Sequence, residues 1–148
     1  MMESNINLEN KNPKKIKLDF KESKYATGRR KKSVARIWIK KGTGKIYVNG
    51  KNMPDYFTRF NHQTIVSRPL EVVKRSTDFD IRCLVKGGGL SGQAGAVRLG
   101  IARTLEAMSP DFRSKLKKAG MLTRDSRVVE RQKPGQPGAR KKFQFSKR

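Results

Sequence analysis

The residues best suited to chemistry form a glycine run that precedes a helical pattern. Gly87-Gly88-Gly89-Leu90-Ser91-Gly92 satisfies G-x-G-x-x-G, a spacing that lets a strand-to-helix loop hold a dinucleotide pyrophosphate. A dinucleotide site also needs a parallel βαβ unit and an acidic residue after the next strand. Here the first helical pattern leads to a second one and then to a basic stretch, which disfavours a dinucleotide site.

A phosphate could still contact this glycine-rich corner, which comprises Gly87, Gly88, Gly89, Gly92 and Gln93. The run is similar to phosphate-binding loops of small-molecule kinases of the galactokinase and homoserine-kinase type. Kinase chemistry needs metal-binding and base groups around the phosphate, but the 12 acidic residues form no evident constellation. Two other roles stay open, namely a tight turn that uses positive φ angles and a phosphate contact to N–H groups at the helix start.

Other candidates for catalysis or metal binding are few. His62 is the only histidine and has no nearby catalytic partner, so we expect it to make a surface contact or a local hydrogen bond. Cys83 is the only cysteine and is expected to be a small core residue. Trp38, Tyr47 and Phe57 could stack on bases. Aromatic residues in strands and short helices are more often part of the core, so we do not assign them to binding. The sequence predicts no catalytic residue, metal site or cofactor.

Cationic side chains carry most of the remaining chemistry. The 36 lysines and arginines exceed the 12 acidic residues and give a formal net charge of +24. Repulsion among so many positive charges opposes folding, which indicates a polyanionic partner, with nucleic acid as the leading candidate. From Arg131 onward there are seven basic residues and no acidic one. Cations on such a segment neutralise phosphates and release counterions, which gives affinity without sequence reading.

A membrane partner is disfavoured by the sequence. We find no amphipathic segment with a strong apolar face, and no apolar run near the roughly eighteen residues that cross a bilayer. Residues 1–24 contain no arginine and four acidic residues, which does not support a mitochondrial presequence. We therefore expect a soluble protein of the cytoplasm.

The 148 residues predict one α/β domain with appended segments. Residues 1–24 are predicted to be a mobile extension, with a docked strand at Ile16, Leu18 and Phe20 as the alternative. Residues 25–122 are predicted to form the domain. Residues 123–148 are predicted to form a basic tail, since proline and glycine oppose regular structure there.

Alternating apolar residues predict three strands. The first ordered unit is expected after the basic cluster of residues 29–32, where Ala35, Ile37 and Ile39 would share one strand face. The turn at residues 42–44 and a short strand with Ile46 and Val48 would complete an antiparallel hairpin. Alternation over residues 79–86 predicts the third strand.

Helical spacing and capping residues predict four helices. Pro54 would begin a short helix, and a second helix would include residues 70–73, with Pro69 near its first turn or marking a break. The main helix is predicted from the apolar spacing of residues 94–108. Ser109 would cap a last helix that Gly120 closes.

At residues 87–103 the sequence resembles a known family. The run from Gly87 through Val97-Arg98, continued by Gly100-Ile101-Ala102-Arg103, closely resembles the signature of small-subunit ribosomal protein nine (S-nine) of the bacterial type. Further motifs match in family order over residues 25–148, and they are Thr27-Gly28-Arg29-Arg30-Lys31, Lys118-Ala119-Gly120, Thr123-Arg124-Asp125, Val129-Glu130-Arg131 and Gln144-Phe145-Ser146-Lys147-Arg148. Composition alone would also permit a free-standing RNA chaperone.

The resemblance implies an α+β fold, a compact single domain with a left-handed βαβ crossover like that of the second domain of ribosomal protein S-five. It implies a structural constituent of the small-subunit head that binds ribosomal RNA, neighbouring head proteins and peptidyl-site transfer RNA. The expected ribosomal RNA contacts are Arg29, Arg30, Lys31, Lys32, Arg124, Arg127, Arg131, Arg140, Lys141 and Lys142. The expected transfer-RNA contacts are Ser146, Lys147 and Arg148.

Overall fold

The computed structural model of the chain describes residues 22–147. The predicted docked strand at Ile16, Leu18 and Phe20 lies outside these residues, as does Arg148. The elements in chain order are β1 (Lys24–Arg30), β2 (Ser33–Lys41), β3 (Ile46–Val48), β4 (Lys51–Asn52), α1 (Met53–Tyr56), α2 (Phe60–Val73), β5 (Phe79–Lys86), α3 (Leu90–Met108) and α4 (Phe112–Lys118). Together they form a compact α+β domain.

The five strands form one mixed sheet in the order β1-β2-β5-β3-β4. β1 and β2 form an antiparallel hairpin whose turn is Lys31-Lys32, with Lys31 at a positive φ of 51°. β5 pairs antiparallel with β2 and parallel with β3, and β4 pairs antiparallel with β3. The first described strand thus includes part of the basic cluster instead of following it, because Arg29 and Arg30 belong to β1.

The predicted antiparallel hairpin of β2 with β3 is wrong, because β5 lies between them. The loop at residues 42–45 passes around the start of β5 and is bonded to it. Gly42 N–H donates to the Asp78 carbonyl at 2.8 Å, and Ile81 N–H donates to the Lys45 carbonyl at 2.9 Å. The Asp80 carboxylate accepts the N–H groups of Thr43 and Lys45 at 2.8 and 3.0 Å. These bonds favour insertion of β5 over a direct β2–β3 pairing.

Two helix boundaries differ from the sequence predictions. Pro69 lies inside α2, where it costs one backbone hydrogen bond, but it is buried in the packed face. Ser109 ends α3 by donating its N–H to the Leu105 carbonyl at 3.1 Å, and Asp111 is the residue that precedes α4. The predicted role of Gly120 is confirmed, because its φ of 68° lets the chain after α4 fold back on the last turn.

The core lies between one face of the sheet and the helices α2, α3 and α4. The predicted alternation is confirmed, since Ala35, Ile37 and Ile39 are buried on β2, and β5 buries every second residue from Phe79 to Val85. Cys83 is among them, and burial raises the pKa of its thiol. None of the helices between residues 22 and 147 has the length and hydropathy to span a bilayer.

Candidate nucleic-acid interface

The glycine-rich corner is a tight turn packed against the β1–β2 hairpin. Gly87 and Gly88 have φ angles of 74° and 63°, which favour glycine. A Cβ atom on Gly87 would lie 2.6 Å from the Lys32 carbonyl oxygen, and one on Gly92 would lie 2.8 Å from the Ser33 hydroxyl. A Cβ atom on Gly89 would meet nothing within 4 Å. Contacts within the protein thus account for Gly87, Gly88 and Gly92 but not for Gly89.

Polar bonds fix the same corner from both sides. The buried Ser33 hydroxyl donates to the Gly87 carbonyl at 3.0 Å, and the Gln93 side-chain amide donates to that carbonyl at 3.2 Å. Tyr56 donates its hydroxyl to Gln93 Oε1 at 2.8 Å. Gln93 therefore has a positioning role, and the tight-turn interpretation explains most of the corner without a ligand.

Arg30 joins the hairpin to the start of the carboxyl-terminal segment, which comprises residues 123–148. Its side chain lies in the notch left by Gly95, where a Cβ atom would overlap Arg30 Cδ. Arg30 Nε and Nη2 contact Asp125 Oδ2 at 3.1 and 3.0 Å, with only 20% and 15% of the two side chains exposed. Arg127 binds the same carboxylate, with Nη2 at 2.8 Å from Oδ2. Asp125 thus holds two of the predicted RNA-binding arginines.

The structure also brings together arginines that the sequence analysis missed. Arg98 on α3 is half-buried, and no described residue within 22–147 provides a hydrogen-bond partner for its buried Nε. Burial, together with the positive charges of Arg30 and Arg68, lowers the pKa of Arg98, although Asp125 opposes this effect. Arg98 on α3 thus lies within electrostatic range of guanidinium groups on β1 and α2, and of the carboxylate that Arg30 and Arg127 bind. The available signal was an arginine on an otherwise small and apolar helix face.

The segment from residue 123 to residue 147 contains no helix or strand, and most of its residues are exposed. Glu130 accepts a two-fold hydrogen bond from Arg140, with Nε and Nη2 at 2.8 and 2.5 Å. The acidic residues of this segment are Asp125 and Glu130, and both are paired with arginine. Hydrogen bonds from the arginines lower the pKa of each carboxyl group.

The other predicted contact residues lie on the surface in two groups. Arg29, Lys31 and Lys32 are exposed at the β1–β2 hairpin. The predicted contacts that are exposed in the carboxyl-terminal segment are Arg124, Arg127, Arg131, Arg140, Lys141, Lys142, Ser146 and Lys147. Arg148 lies outside the described residues. Arg30 is the one residue of the predicted set between 22 and 147 whose side chain lies largely inside the fold.

The aromatic residues and His62 divide between core and surface. Phe57 is fully buried, as expected, and the half-buried His62 ring lies edge-on to it with ring centroids 6.1 Å apart. Trp38 and Tyr47 are only partly buried, and they lie on the sheet face opposite the core. Within residues 22–147 no group of three or more histidine, cysteine or acidic side chains is arranged to hold a metal ion.

We expect Asp125→Asn to lower the melting temperature at pH 7 by a few degrees. We also expect the melting temperature of this variant to fall less than that of the wild type as the pH is lowered. The hydrogen bonds from Arg127 and the charge of Arg30 depress the pKa of Asp125 in the folded state. The resulting stabilisation is present above the unfolded pKa of about 3.9 and is lost as the pH falls toward the lower folded pKa. Thermal unfolding between pH 2 and pH 7 measures this effect.

Asp111→Asn is the matched control for this measurement, because Asp111 is exposed and makes no side-chain capping bond. The difference between wild-type and Asp125→Asn melting temperatures should shrink as the pH falls, whereas the control should follow the wild type. Parallel curves for wild type and Asp125→Asn would contradict the assigned role of the two arginines.

A protein-family model matches the hairpin, the glycine-rich corner and the carboxyl-terminal segment together. A family model described as Ribosomal protein S9/S16 matches residues 28–148, which include β1 from Gly28, the glycine-rich corner, α3 and the carboxyl-terminal segment. Members of this family are structural, non-enzymatic proteins of the small ribosomal subunit that bind ribosomal RNA and neighbouring ribosomal proteins. The chain therefore belongs to the ribosomal protein S9/S16 family and is a ribosome-bound, RNA-binding component of the small subunit.

Proposed function

We propose that the folded part of the protein, residues 25–122, positions the carboxyl-terminal segment so that its end contacts peptidyl-site transfer RNA in the subunit head. Residues 123–148 would act as an extended RNA-binding tail, and the βαβ unit of β3, α2 and β5 would have the left-handed crossover that the family resemblance implies. The ribosome concerned is that of the cytoplasm. The charge balance of the carboxyl-terminal segment carries this proposal.

The charge balance leaves the segment without spare carboxylates. Residues 123–147 contain eight basic and two acidic side chains, and both acids are already bonded to arginine. The exposed cations outside those pairs, within the described residues, are Arg124, Arg131, Lys133, Lys141, Lys142 and Lys147. Phosphate is the anion that can neutralise a chain of this kind, and each neutralised phosphate releases counterions.

Phosphate contacts to ribosomal RNA are proposed for the hairpin and for most of the carboxyl-terminal segment. The hairpin contributes Arg29, Lys31 and Lys32, while Arg30 holds the segment through Asp125. Arg127 and Arg140 would have to share or exchange their carboxylate partners for phosphate, so they are expected to contribute less than the other cations. Arg98 and Arg68 add a second group of guanidinium donors on the helical side.

The anchoring of Asp125 explains how a segment without helix or strand could be directed. Residues near Asp125 are tied to β1 and, through Arg30 Nη1 and the Ser91 carbonyl at 3.2 Å, to the first turn of α3. Once the pair of Glu130 and Arg140 opens, the remaining twenty-odd residues can reach on the order of 70 Å when extended, at about 3.3 Å per residue. A fixed origin and a long reach suit a contact far from the folded part.

Removal of residues 146–148 is expected to weaken transfer-RNA binding at the peptidyl site by about two- to tenfold, the effect of losing one net hydrogen bond of ordinary strength. Many other ribosomal contacts hold the same ligand, so the loss should be modest. Small subunits that carry the full chain or the shortened chain would be compared by filter binding over a range of salt concentrations.

The control for this experiment is Lys141→Gln combined with Lys142→Gln, which removes two positive charges from the same segment. That variant should keep transfer-RNA affinity close to the full chain, since those residues are assigned to ribosomal RNA. Equal transfer-RNA affinity of the full and shortened chains at every salt concentration would remove the proposed role of residues 146–148.

A further inference from the structure

The sheet has one face that no described helix covers. The side chains that pack against α2, α3 and α4 all come from one side, including Ala35, Ile37 and Ile39 on β2. Along β2 and β5 burial alternates, and the intervening residues are only partly buried or exposed. The opposite side of the sheet is therefore a surface, and we call it the open face.

An aromatic row crosses the open face from strand to strand. Tyr25 on β1 is paired with Trp38 on β2, Trp38 with Arg82 on β5, and Arg82 with Tyr47 on β3. Residues paired across neighbouring strands project to the same side, so these four side chains form one continuous row. The edge of the row is accessible, because Tyr25 is 46% exposed.

Arginines are already stacked on this row. The ring centroids of Tyr25 and Trp38 are 5.2 Å apart with an interplanar angle of 42°. Arg36 Cζ lies 5.6 Å from the Trp38 centroid, and Arg82 Cζ lies 5.7 Å from the same centroid. Arg36 Nε also donates to the Tyr25 hydroxyl at 3.4 Å. The aromatic rings and guanidinium planes are thus held in place before any ligand arrives.

The charge of the open face is strongly positive. Other cross-strand rows place further cations on this face, since Val34 is paired with both Arg29 and Lys86. The cations on the open face of β1, β2 and β5 are Arg29, Arg36, Lys40, Arg82 and Lys86. The acidic residue there is Asp80, which is paired with Lys40 and whose carboxylate is used by the loop at residues 42–45.

Cross-strand aromatic pairs and cation–π contacts also stabilise sheets without any ligand. That role does not account for five cations gathered on the open face with a single carboxylate on the described strands β1, β2 and β5, because their mutual repulsion opposes folding. A ligand that combines flat rings with negative charge would satisfy both the rings and the cations. Unpaired nucleotides have this combination, and duplex RNA hides its bases inside the helix.

We propose that the open face binds single-stranded RNA, with bases stacked on Tyr25 and Trp38 or on the guanidinium planes of Arg36 and Arg82. Phosphates of the same strand contact Arg29 and Lys86 at the end of the sheet near the β1–β2 turn. This surface is separate from the carboxyl-terminal segment and goes beyond the phosphate contacts proposed above, because it recognises unpaired bases.

The chain supplies its own probe for this proposal, since Trp38 is its only tryptophan. The full chain would be titrated with a single-stranded uridine oligonucleotide of about ten nucleotides and with an RNA duplex of equal length. Stacking should quench Trp38 emission with the single strand and leave it nearly unchanged with the duplex. Tyr25→Ala should weaken single-strand binding by about tenfold, the order of one lost base–aromatic stack.

Phe60→Ala is the matched control, because Phe60 is 76% exposed at the start of α2 and lies outside the sheet. It should bind the single strand like the wild type, and circular dichroism should show that both variants are folded. Equal Trp38 quenching by single strand and duplex, or wild-type affinity of Tyr25→Ala, would overturn the proposal. In that case duplex binding with a steep salt dependence would leave the role of the carboxyl-terminal segment intact.

Acrylamide quenching of Trp38 in the unliganded full chain tests whether another segment or a second copy covers the open face. If residues 1–21 or a second copy covers this face, Trp38 should be poorly quenched by acrylamide, and that result would also overturn the proposal. Efficient quenching that single-stranded RNA then suppresses is the result we expect.

Discussion

Replacement of Gly28 by alanine is expected to lower the free energy of unfolding by about 3 kcal/mol or more, the upper part of the range for overpacked interiors. Gly28 is buried in β1 where α3 crosses the strand. A Cβ atom there would overlap the Ala96 carbonyl oxygen and would lie 2.5 Å from the Gly100 nitrogen. Both neighbours are backbone atoms of α3, so no side-chain rotation can relieve the overlap.

Urea unfolding of the full chain, followed by circular dichroism, measures this loss. Gly89→Ala is the matched control, because it adds the same methyl group at the start of α3, where nothing lies within 4 Å. The control should cost no more than about 1 kcal/mol, the scale of an altered helix cap. Similar losses of unfolding free energy in the two variants would show that β1 and α3 can move apart to accommodate the added methyl group.

The importance of Gly28 was not visible as a packing signal in the sequence. β1 carries Gly28, Thr27 and two arginines in place of alternating apolar residues, so its periodicity does not predict a strand. It is nevertheless the strand that α3 contacts most closely, because glycines on both elements let the backbones approach. Gly100 is the counterpart on α3, where a Cβ atom would lie 2.6 Å from Ile37 Cδ1. The close approach of two backbones replaces side-chain packing at this place.

Local patterns predicted local structure well and strand order badly. The alternation of β2 and β5 and the helical spacing of α3 reflect burial along one element, and the structure confirms all three. The position of β5 between β2 and β3 depends on bonds to residues more than thirty positions away, such as those of Asp80. Pro69 inside α2 has a similar origin, because packing of a buried proline offsets one missing backbone bond.

The same division applies to the candidate interface. The sequence alone located the cations at the hairpin and in the carboxyl-terminal segment, and the structure places most of them on the surface. It could not show that Arg30 lies in a notch beside Gly95 and holds Asp125, since these residues are far apart in the chain. Nor could it show that Arg30 and Arg68, on separate elements, lie close enough to Arg98 to lower its pKa.

Deletion of residues 131–148 is expected to cause the largest loss of RNA affinity of any change discussed for this chain. It removes seven cations and no acid. The slope of log affinity against log salt should become shallower by up to about 5, at about 0.7 for each single-strand phosphate neutralised. At 0.1 M salt the affinity for small-subunit ribosomal RNA should fall by two or more orders of magnitude.

The pairing of Arg140 with Glu130 should limit the change in salt slope. Arg140 is bonded to Glu130 in the full chain, so the deletion leaves one carboxylate without its partner and removes one cation that was already partly neutralised. The change in slope is therefore expected to fall short of the limit for seven independent cations. Restoring the balance with Glu130→Gln in the shortened chain should recover part of the lost affinity without changing the fold.

Deletion of residues 1–21 distinguishes a specific role of the carboxyl-terminal segment from the loss of any charged terminus. Those residues contain five lysines and three acidic residues, so their removal changes the net charge by only two. The salt slope should then stay close to that of the full chain. Equal slopes for the full chain and the chain lacking residues 131–148 would mean that the folded part alone carries the phosphate contacts. The hairpin and the arginine group of Arg30, Arg68 and Arg98 would then be the surfaces to alter next.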